Sequence, residues 1–518
     1  MTLPRSRLSS SNTNGSRING IRASVCIPAF FISVGVLNIL LVLWWLSNNH
    51  VVSEGSQSIR NQFNPPQPQT ERRQKPQKTR IELNEIEAAK EQETNGLQND
   101  HHTPVVVAHV VSLIKCKKTA SVTGFLDAAA VLRHSIHQQS VHKTDRSKYS
   151  YQMYAIVHDD CAMHAPILDR LGYITLVKPT PIQLDEIRGE WYRGHVENEN
   201  CCGSREFIKL YAYELVQHPI VVHWDMDVAI LQPMDDLFDA MLYPKDSPEG
   251  SAARKRIELQ HPEEDLPDVI DAYFTRDITS SKPWEKVQGV QGGFLVARPS
   301  KEVLQTYLSF IREGNYTKGR HEKAGWGGLG YGGFQGAMAY QGVVAYYYDR
   351  FHRTRAVELD VCRWNQVVAD VIWRGPARME HHMQCREYPK FDGNFEANTG
   401  CEDCRVTPVE LVKTVHYTAC KKPWECTIPN PRIARNEADQ YRLNHLTNIT
   451  TCGKLFAKWF ELRRDFEDQL EKAAGVQPSK RDGKFYKDYF LGYCNHPNGY
   501  IAIQPPPENF DIKELYGL

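Results

Sequence analysis

Neither sign of charge is in excess in this 518-residue chain, where 62 Lys and Arg face 62 Asp and Glu. Without a net positive field there is nothing to concentrate nucleic acid or an acidic polymer at the surface, so no nucleic-acid partner is expected. Internal repeats are missing, which excludes solenoids and propellers. Also missing are a serine nucleophile elbow, a kinase signature set and an HExxH helix. The glycine-rich stretch Gly325 to Gly336 lacks the Lys-Ser/Thr of a P-loop and does not follow a strand-to-helix fingerprint, so it reads as a loop that lets substrate approach closely.

What is present begins with an apolar run of 22 residues, Val25 to Leu46. As a helix it would be about 33 Å long, enough to cross a hydrocarbon core. It ends in Trp44 and Trp45, which suit a membrane interface, where a cleaved signal would end in small residues. Arg5, Arg7, Arg17 and Arg22 precede it with no acidic residue among them, so residues 1–24 are expected to be a cytosolic tail and everything after 46 lumenal. Of 13 cysteines only Cys26 lies before the end of that run, leaving an even number for an oxidising compartment, with connectivity open. Asn315-Tyr316-Thr317 and Asn448-Ile449-Thr450 read as glycosylation acceptors on the same side.

Residues 47–102 are polar, with "NPPQPQTERRQKPQK" too rich in Pro, Gln and charge to bury a core, and read as a stem. Within it Ile81 to Gln92 has the composition of a short helix through which two copies could associate, but it is uncapped and brief. From Thr103 the texture changes. "TPVVVAHVVSLI" is apolar on both alternations, as a parallel strand buried on both faces should be. Strands then alternate with helices: a helix over Gly124 to Gln139, strands over Tyr151 to His158 and Tyr173 to Lys178, a helix over Arg205 to Gln217, then the strand in "PIVVHWD". The pattern predicts an α/β fold, an open, mostly parallel, Rossmann-like sheet with helices on both faces. Residues 244–284 and 360–408 read as surface insertions, and residues 455–518 as a helical extension packed on a domain spanning 103–454.

Asp225 and Asp227 follow that strand, separated only by Met226, with no Lys or Arg from Leu210 to Pro244. In an extended segment they point the same way. Two like charges so placed need a cation between them, and a divalent metal is the natural candidate, although Asp-x-Asp is common in solvated loops. Cys401-x-x-Cys404, with Cys385, His381 and His382 nearby, has zinc-ligand chemistry but reads as a disulfide-stapled insertion.

"FIKLYAYELVQHPIVVHWDMDVAILQPMDDLF" resembles the signature of glycosyltransferase family 8, the glycogenin-like group. "VVVAHVVSLI", "FLDAAAVLRHSIH", "VQGGFLVARPS" and "HYTACKKPW" extend the resemblance from Thr103 to Trp424. It implies a GT-A fold and a retaining, metal-dependent hexosyltransferase that uses a UDP-sugar. Asp225, Asp227 and His416 would hold Mn²⁺, Lys422 would contact the donor diphosphate and Lys209 would face the donor. Gln291 and Gln335 fall at sugar-proximal positions of the family, and Ala419 at its phosphate-proximal backbone glycine. The family's two acidic residues in the sugar pocket are Tyr331 and Phe334 here, which leaves the donor sugar open. The expectation is a type II membrane protein of the Golgi or ER-Golgi that glycosylates a glycan or glycoprotein. Its rivals are a catalytically silent nucleotide-sugar binding protein and a lumenal nucleotide-sugar hydrolase.

Overall fold

A computed structural model describes residues 103–116, 119–199, 202–260, 266–277, 287–319, 321–367, 383–385, 401–404, 407–418, 421–427 and 451–517. All lie within one compact unit, Asp100–Leu518. The expected tail, apolar span and stem lie outside the described residues, as do His381, His382, Ala419 and Asn448. No described helix is long and apolar enough to cross a membrane.

The strands in chain order are β1 (Val106–Leu113), β2 (Ser150–His158), β3 (Ile174–Lys178), β4 (Val221–Trp224), β5 (Val228–Ile230), β6 (Ala272–Arg276), β7 (Val290–Ala297), β8 (Tyr316–Thr317), β9 (Gly325–Trp326), β10 (Ala356–Glu358), β11 (Met383–Cys385), β12 (Cys401–Asp403) and β13 (Thr414–His416). Seven form one sheet in the order β10-β6-β7-β4-β1-β2-β3. Only β7 runs against its neighbours, β4 and β6; the other pairings are parallel. The long helices are α1 (Thr119–Gln138), α2 (Asp235–Leu242), α3 (Pro248–Gln260), α4 (Lys301–Glu313), α5 (Tyr340–Arg350) and α6 (Thr451–Ala474).

The apolar texture of β1 has a simple geometric result. Val107 and Val111 point into one core, with α1, α2 and α6, while Ala108 and Val110 point into the other, with α4 and α5. Successive side chains leave opposite faces, so a strand covered on both sides is mostly apolar, and its polar members find partners on β4, His109 accepting from Trp224 Nε1 at 2.9 Å and Ser112 Oγ lying 3.0 Å from His223 Nε2. α4 is bounded by residues suited to its two ends: Ser300 Oγ accepts from Val303 N at 3.2 Å, and Gly314 closes the helix at φ 62°.

Two expectations change. The helix expected over Arg205 to Gln217 is a 3₁₀ helix, Gly203–Glu214. With three residues per turn, Glu206 and Lys209 fall on one line. Residues 244–284 are not simply a surface loop, because the segment supplies α3 and the buried sheet strand β6. Charged flanks hid the short apolar core "AYF" of β6, whose long-range pairing with β7 and β10 no local pattern could announce.

Disulfides join Cys116 to Cys161, Cys362 to Cys404 and Cys426 to Cys494, across separations of 45, 42 and 68 residues. Loops of that length restrict the unfolded chain by about 4 kcal/mol each in the chain-entropy picture. Cys404 is therefore committed to Cys362 and is not a zinc ligand.

The C-terminal segment is built into the core through a buried arginine. Arg463 of α6 bonds Glu467 and Ser479, both at 3.1 Å, and lies over the rings of Tyr493 and Tyr500. Tyr500 donates to Asp127, tying the end of the chain to α1. Removing the guanidinium strands Glu467 in the interior, so Arg463→Ala should lower the unfolding free energy by about 3 to 5 kcal/mol in urea denaturation. A loss under about 1 kcal/mol would show that the network is dispensable.

Candidate functional site

β4 is buried along its whole length and ends at Trp224, so the chain leaves the sheet at Asp225. In an open α/β sheet ligands sit beyond the carboxyl ends of the strands, and Asp225 and Asp227 stand there. The antiparallel β7 runs back past the same point, where Asp225 N donates to Gly293 O at 3.1 Å. β5 follows immediately and pairs with β13, setting His416 opposite Val228. Tyr417 N then donates to Asp227 O at 2.8 Å. A histidine remote in sequence thus becomes a neighbour of both carboxylates.

Each carboxylate divides its oxygens, one facing His416 (the inward oxygen) and one facing a lysine (the outward oxygen). His416 Nε2 lies 3.3 Å from Asp227 Oδ1 and 3.7 Å from Asp225 Oδ2. On the outer side, Lys209 Nζ bonds Asp225 Oδ1 at 2.8 Å and Gly292 O at 3.2 Å, and the Lys422 ammonium lies against Asp227 Oδ2. The stretch empty of Lys and Arg in sequence is therefore neutralised by two lysines in space. Lys209 comes from the 3₁₀ helix; Lys422 comes from the turn before Pro423 and Trp424, whose indole packs where a Cβ on Gly124 would stand.

Burial would raise Asp225, but the charge and hydrogen bond of Lys209 outweigh it and hold the carboxyl well below its usual range. Desolvation pushes the His416 imidazole below its ordinary value, leaving it a neutral donor. Lys209 is desolvated too, yet Asp225 and Glu206 raise it above its ordinary value. For Lys422 desolvation prevails over Asp225 and Glu425 and brings the ammonium down to about 8.

The inward atoms suit a divalent cation. Ligand atoms of Asp225, Asp227 and His416 lie within 4.8 Å of one another, and two carboxylates with one imidazole are donors that Mn²⁺ accepts. Gly293 forms the floor: a Cβ there would stand 2.5 Å from His416 Cε1 and 2.7 Å from Asp225 Oδ2. Among the described residues His158, Asp159 and Asp160 form a second such group, but both acids are exposed and Arg205 holds Asp160 at 2.7 Å.

The other expected site residues are dispersed. Gln291 is buried on β7 and its side-chain oxygen accepts from Gly293 N at 2.5 Å, bracing the floor. Gln335 is exposed in the loop after Phe334. Tyr331 and Phe334 are core residues, the first donating to Asp349 at 3.2 Å and the second packing against Gly289. Ala419 lies outside the described residues. Asp277, missed because its segment reads as a loop, is buried just beyond β6, accepts from Gln341 Nε2 at 3.3 Å, and its charge acts on His416. Glu206, three residues before Lys209 and also buried, was legible only once the period of that helix was known.

No family model matches the sequence, and no curated protein matches it. Among solved structures, mouse xyloside xylosyltransferase 1 in its apo form is similar over 60% of this chain and 98% of its own, at 12% identity and a TM-score of 0.33. The apo form of the bifunctional glycosyltransferase WbbM is similar over 68% and 53%, at 11% identity and 0.33. The apo form of the glycosyltransferase GlyE of Streptococcus pneumoniae TIGR4 is similar over 71% and 64%, at 12% identity and 0.32. The chain therefore spans about half the length of WbbM and just under two thirds of GlyE. These are distant likenesses, and membership of family 8 stays a resemblance in motifs; what bears on function is the geometry of the site.

Gly293→Ala should weaken Mn²⁺ binding by about tenfold or more, since its methyl group crowds the cation's place, whereas Gly194→Ala, with open space around it, should not. Equal Mn²⁺ titrations for both variants would remove Gly293 from the site. The state of His416 sets a second expectation. An imidazole at the ordinary 6.5 would lose roughly fourfold in cation affinity between pH 7.5 and 6.0 through protonation. Because burial moves His416 below that value, Mn²⁺ affinity should fall by less than this fourfold over the same interval.

Proposed function

We propose that this chain is a metal-dependent glycosyltransferase that moves a hexosyl group from a UDP-sugar to a glycan or glycoprotein, with retention, as a type II membrane protein of the Golgi with its catalytic unit lumenal. The observation that carries the reading is the convergence of Asp225, Asp227 and His416 with two ammonium groups at the carboxyl end of β4. Hard oxygen donors beside two ammonium groups suit a ligand that is both metal-bound and anionic, as a nucleoside diphosphate is. The choice of UDP, retention and the Golgi rests on the motif resemblance and on the apolar span.

Asp225, Asp227 and His416 Nε2 would hold the cation. Bound there, it would neutralise charge on the departing diphosphate. Lys209, held by Asp225 and the Gly292 carbonyl, keeps Asp225 ionised and oriented. Gln291 fixes the backbone of Gly293, and with it the space the cation needs. Burial of Tyr331 and Phe334 favours one second reading, a binding protein that keeps the site without turnover, because no carboxylate stands at those two positions.

Activity separates the two. With Mn²⁺, a panel of UDP-sugars and an acceptor pool, the full chain should release UDP from one donor, and Asp227→Asn should be slower by about 10²-fold or more. Binding of UDP with Mn²⁺ but no release from any donor would establish the binding protein. Release that ignores acceptor would indicate a hydrolase.

A further inference from the structure

The two carboxylates are already balanced before a cation arrives: Asp225 is paired with Lys209 and Asp227 with Lys422. A divalent cation entering alone would leave uncompensated positive charge in a desolvated place, at a Coulombic cost that low polarity enlarges. A nucleoside diphosphate arriving with it would cancel that charge.

The two lysines are not equivalent. Lys209 sits on a buried helix, its side chain 8% exposed, and bonds both Asp225 and a main-chain carbonyl of β7. Lys422 is 24% exposed and, among the described residues, the carboxylate it rests against is that of Asp227, with Asp225 and Glu425 acting on it from farther off. Its backbone follows Lys421 at φ 73° and precedes the buried Pro423 and Trp424, so the turn is anchored while the four-carbon arm reaches out of it. Lys422 also touches the outward oxygen of Asp227, whereas His416 faces the inward one. A cation on the inward atoms therefore need not evict Lys422, but it would repel it, and a flexible, partly exposed ammonium can answer that repulsion by turning to an anion.

We propose that Lys422 couples the two ligands of this site: paired with Asp227 it weakens binding of the cation alone, and by transferring to the diphosphate it makes cation and nucleotide bind cooperatively. The inference rests on the metal site proposed above. It assigns Lys422 a role before the nucleotide is present, beyond contact with a bound diphosphate, and the two roles have opposite signatures. Loss of a simple anion contact weakens nucleotide binding and leaves the cation unchanged; loss of the counter-ion strengthens binding of the cation alone.

The test titrates the full chain with Mn²⁺, following free Mn²⁺ by electron paramagnetic resonance, with and without UDP. For the wild type, UDP should tighten Mn²⁺ by about tenfold or more, and by linkage Mn²⁺ should tighten UDP by the same factor. In Lys422→Met, Mn²⁺ alone should bind about tenfold tighter than to the wild type, and the effect of UDP should shrink to about twofold. Lys422→Arg, which keeps the charge, should behave as the wild type. Lys422→Gln serves in place of the Met variant if that one does not fold, judged by near-ultraviolet circular dichroism. If the wild type binds Mn²⁺ and neutral variants bind it no tighter in the absence of UDP, the coupling role is wrong and the metal site stands. If Mn²⁺ binds to no variant, with or without UDP, the metal site falls and the coupling falls with it.

Discussion

Everything at the carboxyl end of the sheet answers to one electrostatic constraint. Two carboxylates one residue apart leave a strand whose four residues are wholly buried, and one of the two, Asp227, is itself only 2% exposed. Like charges in such a place cannot both stay ionised without compensation. The fold supplies it from two directions, with Lys209 in a 3₁₀ helix on one side and Lys422 in a turn on the other, and leaves the inward oxygens to His416. The arrangement is balanced but not sealed. Asp225 keeps about a third of its side chain exposed, so the inward atoms remain within reach of a ligand.

That constraint is met by a scaffold made rigid for other reasons. β1 and β4 are buried on both faces because helices cover both, and this fixes the point where β4 releases the carboxylates. β7, the antiparallel strand, lays Gly293 beneath them, at a spot where no side chain fits. α6 and the chain beyond it close one face through Arg463, Glu467 and Tyr500, so a segment that reads as an appendage shares its core with the sheet.

The legible parts of the fold were those with local causes. β1, β2, β3 and β4 announce themselves by runs rich in apolar and β-branched or aromatic residues, and α4 by its Ser300 cap, its apolar stripe and Gly314. β6 was missed because its five residues are short and flanked by charge, and with it Asp277 was missed. The 3₁₀ character of Gly203–Glu214 was equally hidden, since apolar residues spaced for an α-helix nearly fit a period of three over so few turns.

For the site the division is sharper. By itself the sequence determined that Asp225 and Asp227 share a direction, that they stand at the end of a buried strand, and that "HYTACKKPW" carries a histidine and a lysine whose spacing resembles a known signature; these depend on neighbours along the chain. The tertiary structure alone decided that the pair is already neutralised, that each carboxylate divides its oxygens between a lysine and His416, and that Gly293 keeps the floor clear. The reason is physical: direction and periodicity are properties of a local backbone, whereas charge balance acts through space and is settled only when the long-range pairing of β5 with β13, and of β4 with β7, brings distant residues within a few ångströms.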